Sequence, residues 1–218
     1  MDSLPTRSTL RPIVKVRLMQ SPVFICFFVV ALLSPIAEAK RVKLDIGSVA
    51  PTWKSIPGVD GNEHSFDELI KAKPKAIAIV FTCNDCPVAK SYVGRINKIQ
   101  ADYEKQGLIV VAINPNKGKS ESLKAMKLHA KKQKIKHAYL RDERQQVAKS
   151  YGALLTPEVF LLTPDRKIAY KGAIDDDRKM KGKATKRSYL REAIESVLAG
   201  KPVKTRETRA TGCAIRWK

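Results

Sequence analysis

"FTCNDCPVAKSY", residues Phe81 to Tyr92, is where an apolar run ends, two cysteines follow at a spacing of three, and a proline opens a helical pattern. Upstream, Ala76-Ile77-Ala78-Ile79-Val80-Phe81 is continuously apolar and of strand length. Strands buried on both faces of α/β proteins read this way. Downstream, Val88, Tyr92, Ile96, Ile99 and Tyr103 recur at spacings of three and four and mark one face of a long helix, which Gly107 ends. The cysteines therefore lie at a strand-to-helix junction.

The same patterns extend in both directions. Lys40 to Asn62 reads as an extended segment ending in a turn at Asp60-Gly61-Asn62, and Ser65 caps a short helix to Lys71 that Pro74 breaks. Leu108 to Ile113 is a second buried strand. Ser120 can cap a helix carrying Leu123, Met126 and Ala130 on one side, and His137 to Leu140 is a short edge segment. Gln145 to Tyr151 is a short helix closed by Gly152. Val159 to Leu162 and Ile168 to Tyr170 form a hairpin turned by Pro164-Asp165. Asp175 to Lys186 reads as a charged, mobile loop. Leu190, Ile194 and Val197 mark a last amphipathic helix stopped by Gly200 and Pro202. This order predicts an α/β sandwich with a mixed sheet flanked by helices.

The first 39 residues read as a secretory signal: Arg7, Arg11, Lys15 and Arg17, an apolar run from Ser21 to Ile36, and the small-x-small site Ala37-Glu38-Ala39. An uncleaved anchor is the alternative, but the run is short and broken by Ser34 and Pro35. The expected division is a signal over 1–39, a domain over 40–200, and a tail over 201–218 that carries Cys213. Removing the signal takes away Cys26, four basic and two acidic residues, and lowers the formal charge from +21 to +19. The 179 residues left suffice for one domain with a sizeable core. Such a charge favours weak association with anionic envelope surfaces. Nucleic acid is not expected, because the lysines are dispersed and no helix-turn-helix or zinc-finger pattern accompanies them.

Cys83, Cys86 and Cys213 remain, an odd number for an exported chain. A zinc site wants four ligands, and His64, His129 and His137 are isolated from the pair, so no metal is expected. A redox couple fits the placement better. At a helix start, residues spaced by three face the same side. Unpaired N–H groups and about half a positive charge there favour thiolate, the form that attacks a disulfide. On this reading Cys83, at the exposed tip, attacks and Cys86, one turn in and more buried, resolves. Pro87 suits the first turn. Asp85 opposes thiolate formation and Lys90 offsets it. An inert structural pair is the plain alternative.

"FTCNDCPVAKSY", "VVAINPN", "YGALLTPEVFLL" and "AYKGAIDD", in that order, resemble the thioredoxin-fold redoxins grouped with alkyl hydroperoxide reductase and thiol-specific antioxidant proteins. The resemblance spans Gly47 to Asp176 and implies a thioredoxin-like fold. It also implies a cis-proline at Pro157 facing the sulfurs, with Thr156 offering its backbone to a substrate strand. The chain departs from thioredoxin in Thr82, which replaces a tryptophan, in Asn84-Asp85, which replace Gly-Pro, and in lacking an acid within Ala76 to Phe81. Peroxiredoxins carry a threonine three residues before their reactive cysteine, and Cys83 holds that place relative to Cys86. "TGCAIRW" near the end resembles a motif of exported redoxins. Ile215 and Trp217 suggest that this tail docks, with Cys213 either a buried thiol or an additional redox thiol.

These features predict an exported, periplasmic or extracytoplasmic thiol–disulfide oxidoreductase without a cofactor. Its partners would be protein thiols or disulfides and a dithiol electron donor. A thiol peroxidase and a non-enzymatic metal-binding redoxin module are the alternatives.

Overall fold

A computed structural model describes residues 42–177 and 185–217. The expected signal over 1–39 and positions 178–184 of the expected charged loop lie outside the described residues.

The elements in chain order are β1 (Ile56–Pro57), β2 (Glu63–His64), α1 (Phe66–Lys71), β3 (Ala76–Phe81), α2 (Pro87–Tyr103), β4 (Leu108–Asn114) and α3 (Leu123–Gln133). They continue with β5 (Ala138–Arg141), α4 (Gln146–Tyr151), β6 (Leu155–Thr156), β7 (Glu158–Leu162), β8 (Ile168–Gly172), α5 (Tyr189–Leu198) and β9 (Cys213–Ala214). Five strands form the central sheet in the order β5-β4-β3-β7-β8. β3 runs parallel to β4, and β4 to β5, whereas β7 is antiparallel to both β3 and β8. This is the mixed sheet that the pattern predicts.

Alternation along β3 divides the core. Ala76, Ala78 and Val80 face Tyr92, Ile96 and Ile99 of α2 and Leu190, Ile194 and Val197 of α5. Ile77, Ile79 and Phe81 face Phe66 of α1 and Val147 and Tyr151 of α4. Every β3 residue is buried, so the strand has no polar face to alternate with the apolar one. Phe81, Tyr151 and Phe160 pack as an aromatic triad with centroids 5.3 to 5.8 Å apart.

The cap of α1 is as expected: Ser65 and Glu68 form a reciprocal capping box. The cap of α3 is not. Ser122, not Ser120, accepts the N–H of Ala125. Lys119–Glu121 forms a 3-10 turn that inserts the Glu121 side chain into the interior, and this moves the helix cap from Ser120 to Ser122.

The tail wraps the domain. Lys171 pairs with Glu207, and the Thr208 N–H donates to the Lys171 carbonyl at 3.1 Å. Val203, Ala210 and Ile215 are buried. Gly172, at φ +132°, permits this approach, because a Cβ there would collide with the Thr208 carbonyl.

Candidate active site

The end of β3 is tied to β4 by the Thr82 N–H, which donates to the Ile113 carbonyl at 2.9 Å. The chain then turns through Cys83, Asn84 and Asp85 before α2 begins at Pro87. Cys86 is the N-cap, with φ −66° and ψ 119°. Proline disfavours helical geometry in the residue before it and has no N–H to lose in the first turn, so the helix starts at Pro87 and no earlier. This corrects the positions expected for the two cysteines. The sulfur at the positive helix end is that of Cys86, which lies 3.5 Å from the Ala89 N–H, and Cys83 precedes the helix. Nor is Cys83 the more exposed of the two: Cys83 and Cys86 are 2% and 3% exposed.

The tail packs against them. β9 pairs antiparallel with β6, setting Thr156 opposite Cys213, and Cys86 is disulfide-bonded to Cys213. Cys83 is a free thiol packed against Cys86 and Cys213. The Thr156–Pro157 peptide bond is cis. The Thr156 hydroxyl lies 3.4 Å from the Cys213 carbonyl and 3.2 Å from the Cys83 sulfur. A hydroxyl has one proton, so if Thr156 donates to that carbonyl, the Cys83 thiol donates to Thr156. The Thr156 carbonyl lies 3.3 Å from the Cys86 sulfur. Thr156 thus touches all three cysteines, and the edge expected to receive a substrate strand holds the chain's own tail.

Glu121 is the site residue that the sequence reading missed. It is fully buried under the cysteine loop. Its carboxylate accepts the N–H groups of Asn84 at 2.8 Å and Asp85 at 3.0 Å, and the Asn114 amide at 2.8 Å. The Tyr139 hydroxyl donates to the Asn84 side-chain amide oxygen at 2.8 Å, and burial pushes that phenol above its ordinary pKa. The missing acid of β3 is thus replaced by one from the turn before α3, employed as a scaffold for the loop backbone. Beside it, the Ser120 hydroxyl donates to Asp85 and holds that carboxyl below its usual range, and Arg216 adds to the effect. Glu158, next to Pro157, accepts the N–H groups of Leu154 and Leu155 and so shapes β6. Burial raises its carboxyl.

Both sides of the tail strand are anchored. The Ile215 N–H donates to the Leu154 carbonyl at 2.9 Å, the Arg216 N–H to Asn116 at 2.9 Å, and the Gln145 amide to the Arg216 carbonyl at 2.7 Å. The Arg216 guanidinium reaches Asp85 and Glu121, each at 3.5 Å. The histidines sit apart from the sulfurs: His64 pairs with Asp60 at 3.0 Å, and His137 is buried near Tyr139.

A mixed sheet, a cysteine capping the helix after its central strand and a cis-proline edge beside it define a thioredoxin-like protein. The thioredoxin domain of a thiol-disulfide oxidoreductase from Bacteroides vulgatus shares the fold, with a TM-score of 0.50 at 21% identity over 59% of this chain and 89% of that one. The chain belongs to the AhpC/TSA family, which it matches over residues 46–171. A hypothetical protein of Sinorhizobium meliloti 1021 is 34% identical, with a TM-score of 0.75 over 81% of this chain and 97% of that one. An uncharacterized conserved protein of Geobacillus kaustophilus is 33% identical, with a TM-score of 0.74 over 80% and 93%. The thiol-disulfide oxidoreductase ResA of Bacillus cereus (strain ATCC 10987 / NRS 248) is 23% identical over 159 residues, 73% of this chain and 82% of that protein. General kinship to thiol–disulfide oxidoreductases follows.

Proposed function

We propose that the chain is an exported thiol–disulfide oxidoreductase in which Cys86 exchanges with the partner and Cys83 resolves. This reverses the roles expected from the sequence. One observation carries it: Cys86 caps a 17-residue helix and bonds a cysteine presented on the Thr156 edge. The helix end favours negative charge on that sulfur. In the reducing direction, the Cys86 thiolate attacks one sulfur of a partner disulfide, and the other leaves as thiolate. The Cys83 thiolate then attacks Cys86, forming the Cys83–Cys86 disulfide and releasing the second partner thiol. Two electrons pass from the pair to the partner, and a dithiol donor restores them. Thr156 and Pro157 supply the docking edge.

The basic, apolar and small-x-small order of residues 1–39 supports export. Among the described residues no helix is long and apolar enough to cross a membrane. The mature charge supports weak attachment to anionic envelope surfaces.

Membership of the AhpC/TSA family keeps one second reading, a peroxidase with a sulfenic acid on Cys86. The arginines around the site are committed elsewhere: Arg95 binds Asp175 and Asp177, Arg141 donates to the Asn114 carbonyl, and Arg216 reaches Asp85 and Glu121. The test is the rate at which the mature chain with dithiothreitol reduces a fluorescent peptide disulfide or hydrogen peroxide. The peptide disulfide should be reduced well above the dithiothreitol background, and Cys86→Ser should return the rate to it. A wild-type rate equal to background removes the proposal, and a preference for peroxide selects the second reading.

A further inference from the structure

We infer that the tail segment Gly212–Ile215 is a built-in substrate that closes the groove through Cys213 and leaves it by internal exchange with Cys83. The inference rests on the exchange reading of Cys86 and adds to it a gate and a substrate class.

The tail binds as a partner peptide would. Its strand pairs with the Thr156 edge, its cysteine reaches the helix-capping sulfur, and its aliphatic residue two positions on is buried among the aromatic triad and its neighbours. Gly212 is required by contact and not by its backbone angle, because a Cβ there would overlap the Thr156 carbonyl and crowd the Pro157 nitrogen. The groove therefore selects an extended segment with glycine before the cysteine and an aliphatic side chain two residues after it.

Opening needs no external electrons. The Cys83 thiolate attacks the Cys86 sulfur, the Cys83–Cys86 bond forms, and the Cys86–Cys213 bond breaks. Its electron pair leaves on the Cys213 sulfur, which takes up the proton that Cys83 gave away. Cys83 is already packed against both members of the disulfide. A tethered tail competes at an effective concentration in the millimolar range, so a free partner meets a groove that is closed until this exchange occurs.

Cleavage by trypsin after Lys75, Lys90, Arg209 and Arg216 separates the isomers, since Cys83 and Cys86 share peptide 76–90 and Cys213 lies in 210–216. The oxidised mature protein is quenched with iodoacetamide and digested without reductant. Wild type should give the two peptides joined, with the label on Cys83. Gly212→Ala should shift the map to an internal disulfide in 76–90 and a labelled 210–216, with a fall of roughly tenfold in KM for a peptide disulfide. Ile215→Ser, which removes the apolar anchor, should do the same and serves as a second variant if Gly212→Ala fails to fold by circular dichroism. A wild-type map with only the internal disulfide, or an unchanged map in a folded variant, overturns the gate. A shifted map with no exchange above background in either protein instead overturns the oxidoreductase reading and leaves the tail docking standing.

Discussion

Replacing Glu121 with Gln should loosen the cysteine loop specifically, by an amount the hydrogen bonds allow to be estimated. One carboxylate oxygen takes the N–H of Asn84 and the amide of Asn114; the other takes the N–H of Asp85 and faces Arg216. Glutamine has the same shape but only one accepting oxygen. Turned the cheaper way, it keeps Asn84 and Asn114 and sets its own amide against the Asp85 N–H. The two retained bonds fall from charge-assisted to neutral, each weaker by about 1 kcal/mol, and the third, worth about 2 kcal/mol, is lost. Relief from burying a charge offsets part of this, which leaves a loss on the order of 3 kcal/mol. Urea unfolding of the reduced proteins at pH 7 reads the total. Hydrogen exchange at the Asn84 and Asp85 amides locates it. A change below about 0.5 kcal/mol with unaltered protection at those amides would refute the scaffold role, because burial of the carboxylate would then cost as much as its bonds return.

The core was legible because its signals are local. "AIAIVF" and "LIVVAI" have no polar residue to place outward, and β3 and β4 are indeed covered on both faces. The β7–β8 hairpin was announced by its Pro-Asp turn. The helix start is legible too: a proline disfavours helical geometry in the residue before it, and that rule places Cys86 at the cap and Cys83 outside the helix. Glu121 was not legible. One carboxylate among 21 acidic residues carries no mark of burial, and its partners are backbone N–H groups 36 to 37 residues away. The nearest hint is the polar "NPNKGKSE" after a buried strand, a turn rich enough in special residues to fold a side chain inward. For the tail, Ile215 and Trp217 signalled docking. Nothing in the sequence names the partner strand, because the pairing of β9 with β6 joins segments far apart in the chain.

Other consequences are testable. Burial lowers the His137 imidazole from 6.5 to about 4, so the folded form stays neutral where the unfolded chain takes a proton. Its contribution is full above pH 6.5 and is lost as pH falls towards 4, a drop of up to about 3 kcal/mol. His137→Leu should flatten the fall in urea midpoint over that window relative to wild type, and equal slopes would contradict the assignment. Phe81→Ala should cost about 3 to 5 kcal/mol in the same assay, since it removes one of the three rings of the buried aromatic triad, and a cost near 1 kcal/mol would mean that the neighbours collapse into the space. The last consequence concerns charge. A docked tail brings Arg216 to two carboxylates, Asp85 and the buried Glu121. An open groove lacks that cation, so it should prefer partners that carry one three residues after their cysteine. Arg216 and Asp85 are about half exposed, with side-chain accessibilities of 55% and 46%, and solvent screening holds the gain to about 1 kcal/mol or roughly fivefold. The peptides Thr-Gly-Cys-Ala-Ile-Arg-Trp and Thr-Gly-Cys-Ala-Ile-Glu-Trp, oxidised onto Cys86 of a Cys83→Ser, Cys213→Ser double variant, should differ by that factor in 50 mM salt and converge in 1 M salt, where the screening length is about 3 Å. Equal mixed-disulfide yields at low salt would show that Arg216 follows the docked strand without helping to select it.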